Sequence, residues 1–301
     1  MQTILPFFRK VKGVSYQRER IATFDYDFLD LDWSKVGSSR LVILTHGVEG
    51  NSSQSYILGM VKMINKEGWD ALAWNFRSCS GEINNHLGLY DAASTEDLKW
   101  VIKHALKGGA YKEIVLIGFS LGGCYTLQLL GELGKNTPSE ISKALTFSVP
   151  CDLQPCIKEL SYGINKVIYL KRFIWSLKEK LELKKKQFPD LLSHLDLNKI
   201  QNFEDFDNVF TAPLRGFKNA NNYYEFCSCR KNIPEIHVPT LIVNAQNDPF
   251  LPTPCQPIQE CKHHVWVHLE MPSDGGHLGF MLESINGRYF SEQRALEFLR
   301  A

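Results

Sequence analysis

The sequence has no apolar run near the ~18 residues a membrane-spanning helix needs, no Cys-x-x-Cys pair, no internal repeat and no low-complexity tract. Charge of one sign is missing as well: 34 Lys and Arg against 33 Asp and Glu leave a formal charge of +1. That balance supplies no basic face, so no nucleic-acid partner is expected. Between Met1 and Gly13 the short apolar stretch precedes Arg9, Lys10 and Lys12, the reverse of the order in a secretory leader. The expectation is a soluble cytoplasmic protein. Its eight cysteines, at 79, 124, 151, 156, 227, 229, 255 and 261, read as reduced thiols in that compartment. Cys227 and Cys229 have no second pair at matching spacing, so a metal site is not expected.

What the chain does have is apolar content, 44% of 301 residues, enough for the core of one large α/β domain. Tyr16 to Trp33 reads as two short strands in a hairpin or meander. Leu41 to Thr45 is a continuous apolar run ending in His46-Gly47, the pattern of a strand covered on both faces. A helical pattern over Tyr56 to Ile64 leads to a strand at Asp70 to Asn75. Leu98, Val101, Ile102, Ala105 and Leu106 place an amphipathic helix at Thr95 to Lys107, stopped by Gly108-Gly109. Then follow strand Ile114 to Ile117, helix Leu121 to Leu133 and strand Ala144 to Val149. After Pro239 come strands Thr240 to Asn244 and Val265 to Leu269 and a helix near Glu292 to Leu299. This alternation predicts a mostly parallel sheet with helices on both faces. Residues 152–238 have no clear strand and a helical pattern in Ile164, Val167, Ile168, Ile174, Leu177 and Leu181. They are read as a helical cap inserted into a single domain spanning 1–301.

Gly118-Phe119-Ser120-Leu121-Gly122 matches G-x-S-x-G, with an apolar strand before it and an apolar helix after it. That context is the strand-turn-helix of a nucleophile elbow. Glycine at 118 and 122 removes side chains that would clash in so tight a turn, and Gly123 lets the helix lie closer to the sheet. The elbow puts the Ser120 hydroxyl at a helix N-terminus, where free N–H groups favour negative charge.

A serine hydroxyl needs a base to take its proton. In an elbow fold of this type the acid and then the histidine follow the serine along the chain. His277, in the glycine-rich loop Asp274 to Phe280, is the expected base, whereas His46 precedes Ser120 and is read as a structural hydrogen-bonder beneath the site. His264 and His268 are expected on one polar face of the last strand, with His263 nearby, rather than in a metal cluster. For the acid, Asp248 emerges just past a buried strand and is favoured; Asp152, past the preceding strand, is the rival. Asp274 is read as a loop hydrogen-bonder. The oxyanion hole should use the N–H of Leu121 and one from His46-Gly47-Val48-Glu49-Gly50, with Val48 the choice and Gly47 the alternative.

The ordered set of motifs resembles the YheT-type hydrolases of the α/β-hydrolase fold, a group taking in plant EMB8-like proteins and mammalian abhydrolase-domain phospholipases. The motifs are Leu31-Asp32-Trp33, His46 to Gly50, Asn75 to Glu82, Gly118 to Gly123, Val149 to Leu153, Asn222-Tyr223-Tyr224, Asn247 to Phe250 and Gly275 to Phe280. The resemblance implies that Ser120, Asp248 and His277 form the triad, and Asp152 recedes. It also implies esterase or lipase-like activity on small-molecule acyl esters, with no metal or organic cofactor. Eukaryotic members carry an N-terminal membrane anchor that this sequence does not show.

Within the insertion, Ile164 to Lys186 mixes an apolar stripe with Lys166, Lys171, Arg172, Lys178, Lys180 and Lys184 to Lys186. A cap helix with a solvated basic face is favoured over a lid that touches anionic lipid. Tyr169, Phe173 and Trp175 are candidates to line an acyl-chain pocket. The same machinery would serve acyl transfer or thioester cleavage. A non-catalytic binding protein is the reading from another class, disfavoured because all three triad positions are intact. Haloalkane-type chemistry is excluded by serine at the elbow. Oligomeric state is not legible.

Overall fold

In the computed structural model, which describes residues 2–282 and 284–301, eight strands form one sheet. They are β1 (Gln17–Ala22), β2 (Phe28–Ser34), β3 (Arg40–Thr45), β4 (Asp70–Trp74), β5 (Glu113–Phe119), β6 (Ile141–Phe147), β7 (Thr240–Val243) and β8 (Val267–Glu270). Their spatial order is β1-β2-β4-β3-β5-β6-β7-β8. The leading hairpin is antiparallel and β2 also pairs antiparallel with β4; all later pairings are parallel. From β3 the chain crosses first to one side, to β4, and then to the other, to β5. The carboxyl ends of β3 and β5 therefore flank the point where the winding reverses, which is where open α/β sheets leave a crevice.

Period-two alternation explains how both faces are covered. Leu41 and Ile43 of β3 and Ile114 and Leu116 of β5 pack under α2 (Glu96–Leu106) and α3 (Leu121–Leu133). Val42, Leu44, Val115 and Ile117 point the other way. They meet Ile57, Met60, Val61 and Ile64 of α1 (Ser55–Lys66) and Ala295 and Leu296 near the chain end. The predicted helices and strands appear in the predicted order, with ends shifted by a few residues.

Between β6 and β7 the described residues form no strand. They form α4 (Leu153–Leu160), a π-turn at Lys166–Leu170 running into α5 (Lys171–Gln187), short turns, and α6 (Ala220–Cys227). The last helix, α7, spans Phe290–Arg300. Ile174, Leu177 and Leu181 of α5 pack with Leu170, Leu89, Phe206 and Phe210 in a cluster of their own. Tyr223, Tyr224 and Cys227 of α6 instead join the core beneath the sheet. The apolar pattern read as one stripe divides here: Ile164, Val167 and Ile168 face solvent while Ile174, Leu177 and Leu181 are buried. Six residues separate Ile168 from Ile174, and at ~3.6 residues per turn that separation rotates the side chain by roughly 240°.

One strand differs from expectation. β8 begins at Val267, and the preceding residues form a turn in which His264 Nδ1 accepts from the backbone N–H groups of Trp266 and Val267 at 3.0 Å each. His263 and His264 thus lie ahead of the strand, not on a face shared with His268. An imidazole acceptor satisfies two N–H groups that the ladder would otherwise need, which starts the strand later. Among the described residues no group of His, Cys, Asp or Glu side chains suits a metal ion. All eight cysteines are unbridged. No helix of the described residues is long and apolar enough to cross a membrane.

Candidate active site

Ser120 joins β5 to α3 with φ 53° and ψ −119°, a left-handed backbone that an L-residue adopts only under constraint. Its N–H donates to Phe147 O of β6 at 2.8 Å. The flanking glycines serve three different neighbours. A Cβ at Gly118 would fall 2.4 Å from Gly122 O in the helix, and one at Gly123 would fall 2.4 Å from Val149 Cγ2. A Cβ at Gly122 would instead strike the end of β3, 2.3 Å from Thr45 O and 2.5 Å from His46 O. Gly122 therefore sets the distance from the elbow to the loop after β3.

Ser120 meets the histidine predicted for it. His277 Nε2 lies 2.9 Å from Ser120 Oγ, and His277 Nδ1 lies 2.9 Å from Asp248 Oδ2 and 3.2 Å from Oδ1. With the proton on Nδ1, the ring donates to the carboxylate and accepts from the hydroxyl. Asp248 has a fully buried side chain, and its Oδ1 also accepts from Phe250 N–H at 2.9 Å. The Phe250 ring packs on the imidazole with centroids 4.2 Å apart. Asp152 does not reach His277. It sits at the N-cap of α4, 3.9 Å from Arg230. Asp274 accepts from Asn247 Nδ2 at 2.9 Å, the loop role expected of it.

The loop that carries His277 is held from three sides. Asn247 Oδ1 accepts from Gly275 N–H at 3.0 Å and Gly276 N–H at 2.8 Å, Thr3 Oγ1 accepts from His277 N–H at 3.0 Å, and Ser148 Oγ accepts from Leu278 N–H at 3.2 Å. One loop thus holds the acid, Asp248, and through its neighbour Asn247 also the histidine. Neither Thr3 nor Ser148 carries a sequence signal; Asn247 could have been suspected only as the neighbour of Asp248.

His46 is buried and neutral, its pKa pushed down to about 3 by burial. Its Nδ1 donates to Gly47 O at 2.7 Å and its Nε2 accepts from Phe76 N–H at 3.0 Å, so it pins the loop after β3 from below as expected. In that loop Gly47 N–H donates to Tyr56 Oη at 3.1 Å and Glu49 N–H to Tyr90 Oη at 2.8 Å. Val48 lies between these two engaged amides, and Leu121 is the first residue of α3; both line a cavity with Ser120 and His277. Glu49, in left-handed backbone at φ 52°, has a buried side chain tied to α5. Its carboxylate accepts from Tyr90 Oη at 2.8 Å, from Lys180 Nζ at 2.7 Å and from Ser176 Oγ, the last two on α5. Sequence reasoning missed this cluster because its members lie far apart along the chain.

Two cavities meet at Ser120 and His277. The outer one, about 420 Å³, runs between the amino-terminal segment and the cap and is lined by Phe8, Tyr169, Phe173 and Trp175 among others. The inner one, about 120 Å³, passes Leu121, Leu153, Ile157 and Phe173 and ends at Asp207, Tyr223 and Tyr224. Tyr169, Phe173 and Trp175, read as candidates for an acyl-chain pocket, all line the outer cavity, and Phe173 lines the inner one as well. Burial raises the pKa of Asp207 to about 7, although Tyr224 Oη donates to its Oδ2 at 2.7 Å.

A nucleophile elbow at the reversal point of an eight-stranded sheet, met by a histidine supplied after the last strand, defines the α/β-hydrolase class. The comparisons agree. The family model for the alpha/beta hydrolase fold matches residues 40–284. The chain is 32% identical to YheT of Escherichia coli (strain K12) over 290 residues, 93% of this chain and 84% of that protein. It is 30% identical to the phospholipase ABHD3 of Mus musculus over 93% of this chain and 70% of that one. Identity to the monoacylglycerol lipase of Saccharomyces cerevisiae is 29%, over 89% of this chain and 61% of that one. Among solved structures, the Pyrococcus furiosus esterase Pf2001 superposes with a TM-score of 0.62 at 20% identity, covering 97% of this chain and 96% of that one. The chain belongs to the α/β-hydrolase family, in the group that contains YheT and ABHD3.

Proposed function

We propose that this enzyme hydrolyses carboxylic esters through an acyl-Ser120 intermediate. The observation that carries the reading is the unbroken line from Asp248 through His277 to Ser120, with 2.9 Å at each step. His277 Nε2 takes the hydroxyl proton as Ser120 Oγ attacks the ester carbonyl, and Asp248 holds the ring and offsets the imidazolium charge. The oxyanion is received by the N–H groups of Val48 and Leu121. Collapse of the tetrahedral adduct breaks the bond to the alcohol, which leaves with the proton from His277. Water, deprotonated by the same ring, then releases the acid and restores Ser120. The narrow, mostly apolar inner cavity takes the acyl portion, and the larger outer cavity takes the alcohol. Relatives named as a phospholipase and a monoacylglycerol lipase support an ester of lipid-like character.

The test is fluorophosphonate labelling followed by turnover of p-nitrophenyl esters of graded chain length. Wild type should label and turn over, Ser120→Ala should do neither, and His277→Ala should lose ~10⁴-fold or more in kcat while keeping its melting temperature. An unlabelled wild type would instead favour a binding protein that keeps the fold.

A further inference from the structure

At the outer cavity and along the helical segment beside it stand apolar side chains that the described residues leave exposed. Ile164 is 70% exposed, Phe8 68%, Tyr162 64%, and Val167 and Trp175 61% each, with Ile168 beside them. A folded chain ordinarily withdraws such residues from water or leaves them scattered; a cluster of them marks a contact surface. Here Ile164, Val167, Ile168 and Trp175 recur along the π-turn and α5, on a different side from the buried stripe Leu170, Ile174, Leu177 and Leu181. Phe8, Ile168 and Trp175 also line the outer cavity, so the apolar surface is continuous with the path to Ser120.

Charge selects the occupant. Between Glu159 and Glu179 the sequence contains Lys166, Lys171, Arg172 and Lys178 and no acidic residue. Lys166, Lys171 and Arg172 are exposed among the apolar side chains. A second copy docked face to face would bring Lys166 and Lys171 against their own counterparts, with no acidic residue between Glu159 and Glu179 to offset them. A lipid–water interface with anionic headgroups offers both things the face lacks, a hydrocarbon layer for the aromatic and branched side chains and negative charge at the depth of the lysines.

We propose that this face of the cap docks on an anionic lipid surface, bringing the mouth of the outer cavity to the layer that holds the substrate. The docking surface stands on its own geometry; only its purpose rests on the ester-hydrolase reading. The dual character predicts binding that needs both parts. Removing either the apolar side chains or the charges should release the protein, and added salt should weaken the charge contribution.

The experiment is co-sedimentation of the full chain with phosphatidylcholine vesicles made with and without phosphatidylserine. Wild type should bind the anionic vesicles, bind the neutral ones less, and lose affinity as salt rises. Ile164→Ser/Val167→Ser and Lys166→Glu/Lys171→Glu use residues outside both cavities, so each should keep wild-type turnover of a soluble p-nitrophenyl ester. Each lysine reversed to glutamate should lower partitioning by more than about five-fold, since the ~1 kcal/mol expected per basic residue near such a surface is lost and a repelled charge is added. Wild type that stays in the supernatant, or variants that sediment like wild type, would overturn the proposal. So would a dimer in light scattering that Ile164→Ser/Val167→Ser dissociates, which would give the face to a second copy. Loss of ester turnover in wild type with vesicle binding intact would overturn the hydrolase reading and leave the docking surface standing.

Discussion

Lys180 Nζ of the cap helix lies 2.7 Å from Oε1 of Glu49, the residue that follows Val48 in the loop after β3. The pair joins the element over the active site to the loop proposed to receive the oxyanion. Tyr90 reinforces it, since its hydroxyl accepts from the Glu49 N–H and donates to the Glu49 carboxylate. Holding Glu49 at positive φ sets the direction of the amides beside it, so α5 bears on the shape of the loop after β3.

Glu49→Gln and Lys180→Met should therefore lower kcat for a soluble ester by ~10- to 100-fold, with KM and melting temperature little changed. The bound is the ~10²- to 10³-fold cost of losing an oxyanion donor outright. The double variant should be no worse than the poorer single one, because both break one contact. Additive losses, or a fall in melting temperature that parallels the fall in kcat, would assign the pair a purely structural role.

Asp207 makes stability depend on pH. Its folded pKa, about 7, lies above the ordinary carboxylate value because burial opposes its charge. Between those two values the folded state holds a proton that the unfolded chain releases. This group's contribution therefore falls as pH rises from the ordinary carboxylate range to about 7, and is level beyond it. Asp207→Asn should raise the melting temperature at pH above about 7, and the profile between about pH 5 and 8 should flatten relative to wild type. A variant that keeps the wild-type slope would place the titration elsewhere.

Gly122→Ala should cost about 1 to 3 kcal/mol or more, as overpacking against backbone does. The added carbon would meet the carbonyl oxygens of Thr45 and His46, which cannot swing aside as a side chain would. Because His46 begins the loop after β3, kcat should fall further than stability alone explains. Chemical denaturation paired with initial rates measures both, and wild-type rates in a folded Gly122→Ala protein would refute the link.

Much of this architecture was legible before any coordinates. Apolar runs bounded by glycine and proline mark the parallel strands, because the stretch of a strand buried on both faces must be apolar, as Leu41 to Leu44 of β3 and Ala71 to Trp74 of β4 are. The elbow announces itself because the tight turn at Ser120 tolerates little beyond glycine on either side. His277 and Asp248 were found from chain order and from their places just past strand ends. The late start of β8 was not legible, since it depends on His264 turning back to accept two backbone N–H groups. Nor was the outward turn of Ile164, Val167 and Ile168, since hydrophobicity tells which residues would gain from burial and not whether a partner is there.

The sequence by itself determined the order of strands and helices, the elbow and the identity of the groups that meet at it, because those follow from local periodicity and from backbone shapes that only certain residues allow. Tertiary structure alone decided that Lys180 reaches Glu49 across 131 residues of chain, that Thr3 supports His277 across 274, and that Asp207 loses its water at the end of the inner cavity. Those contacts arise where separate elements pack, and no residue's own preference encodes which distant partner will stand beside it.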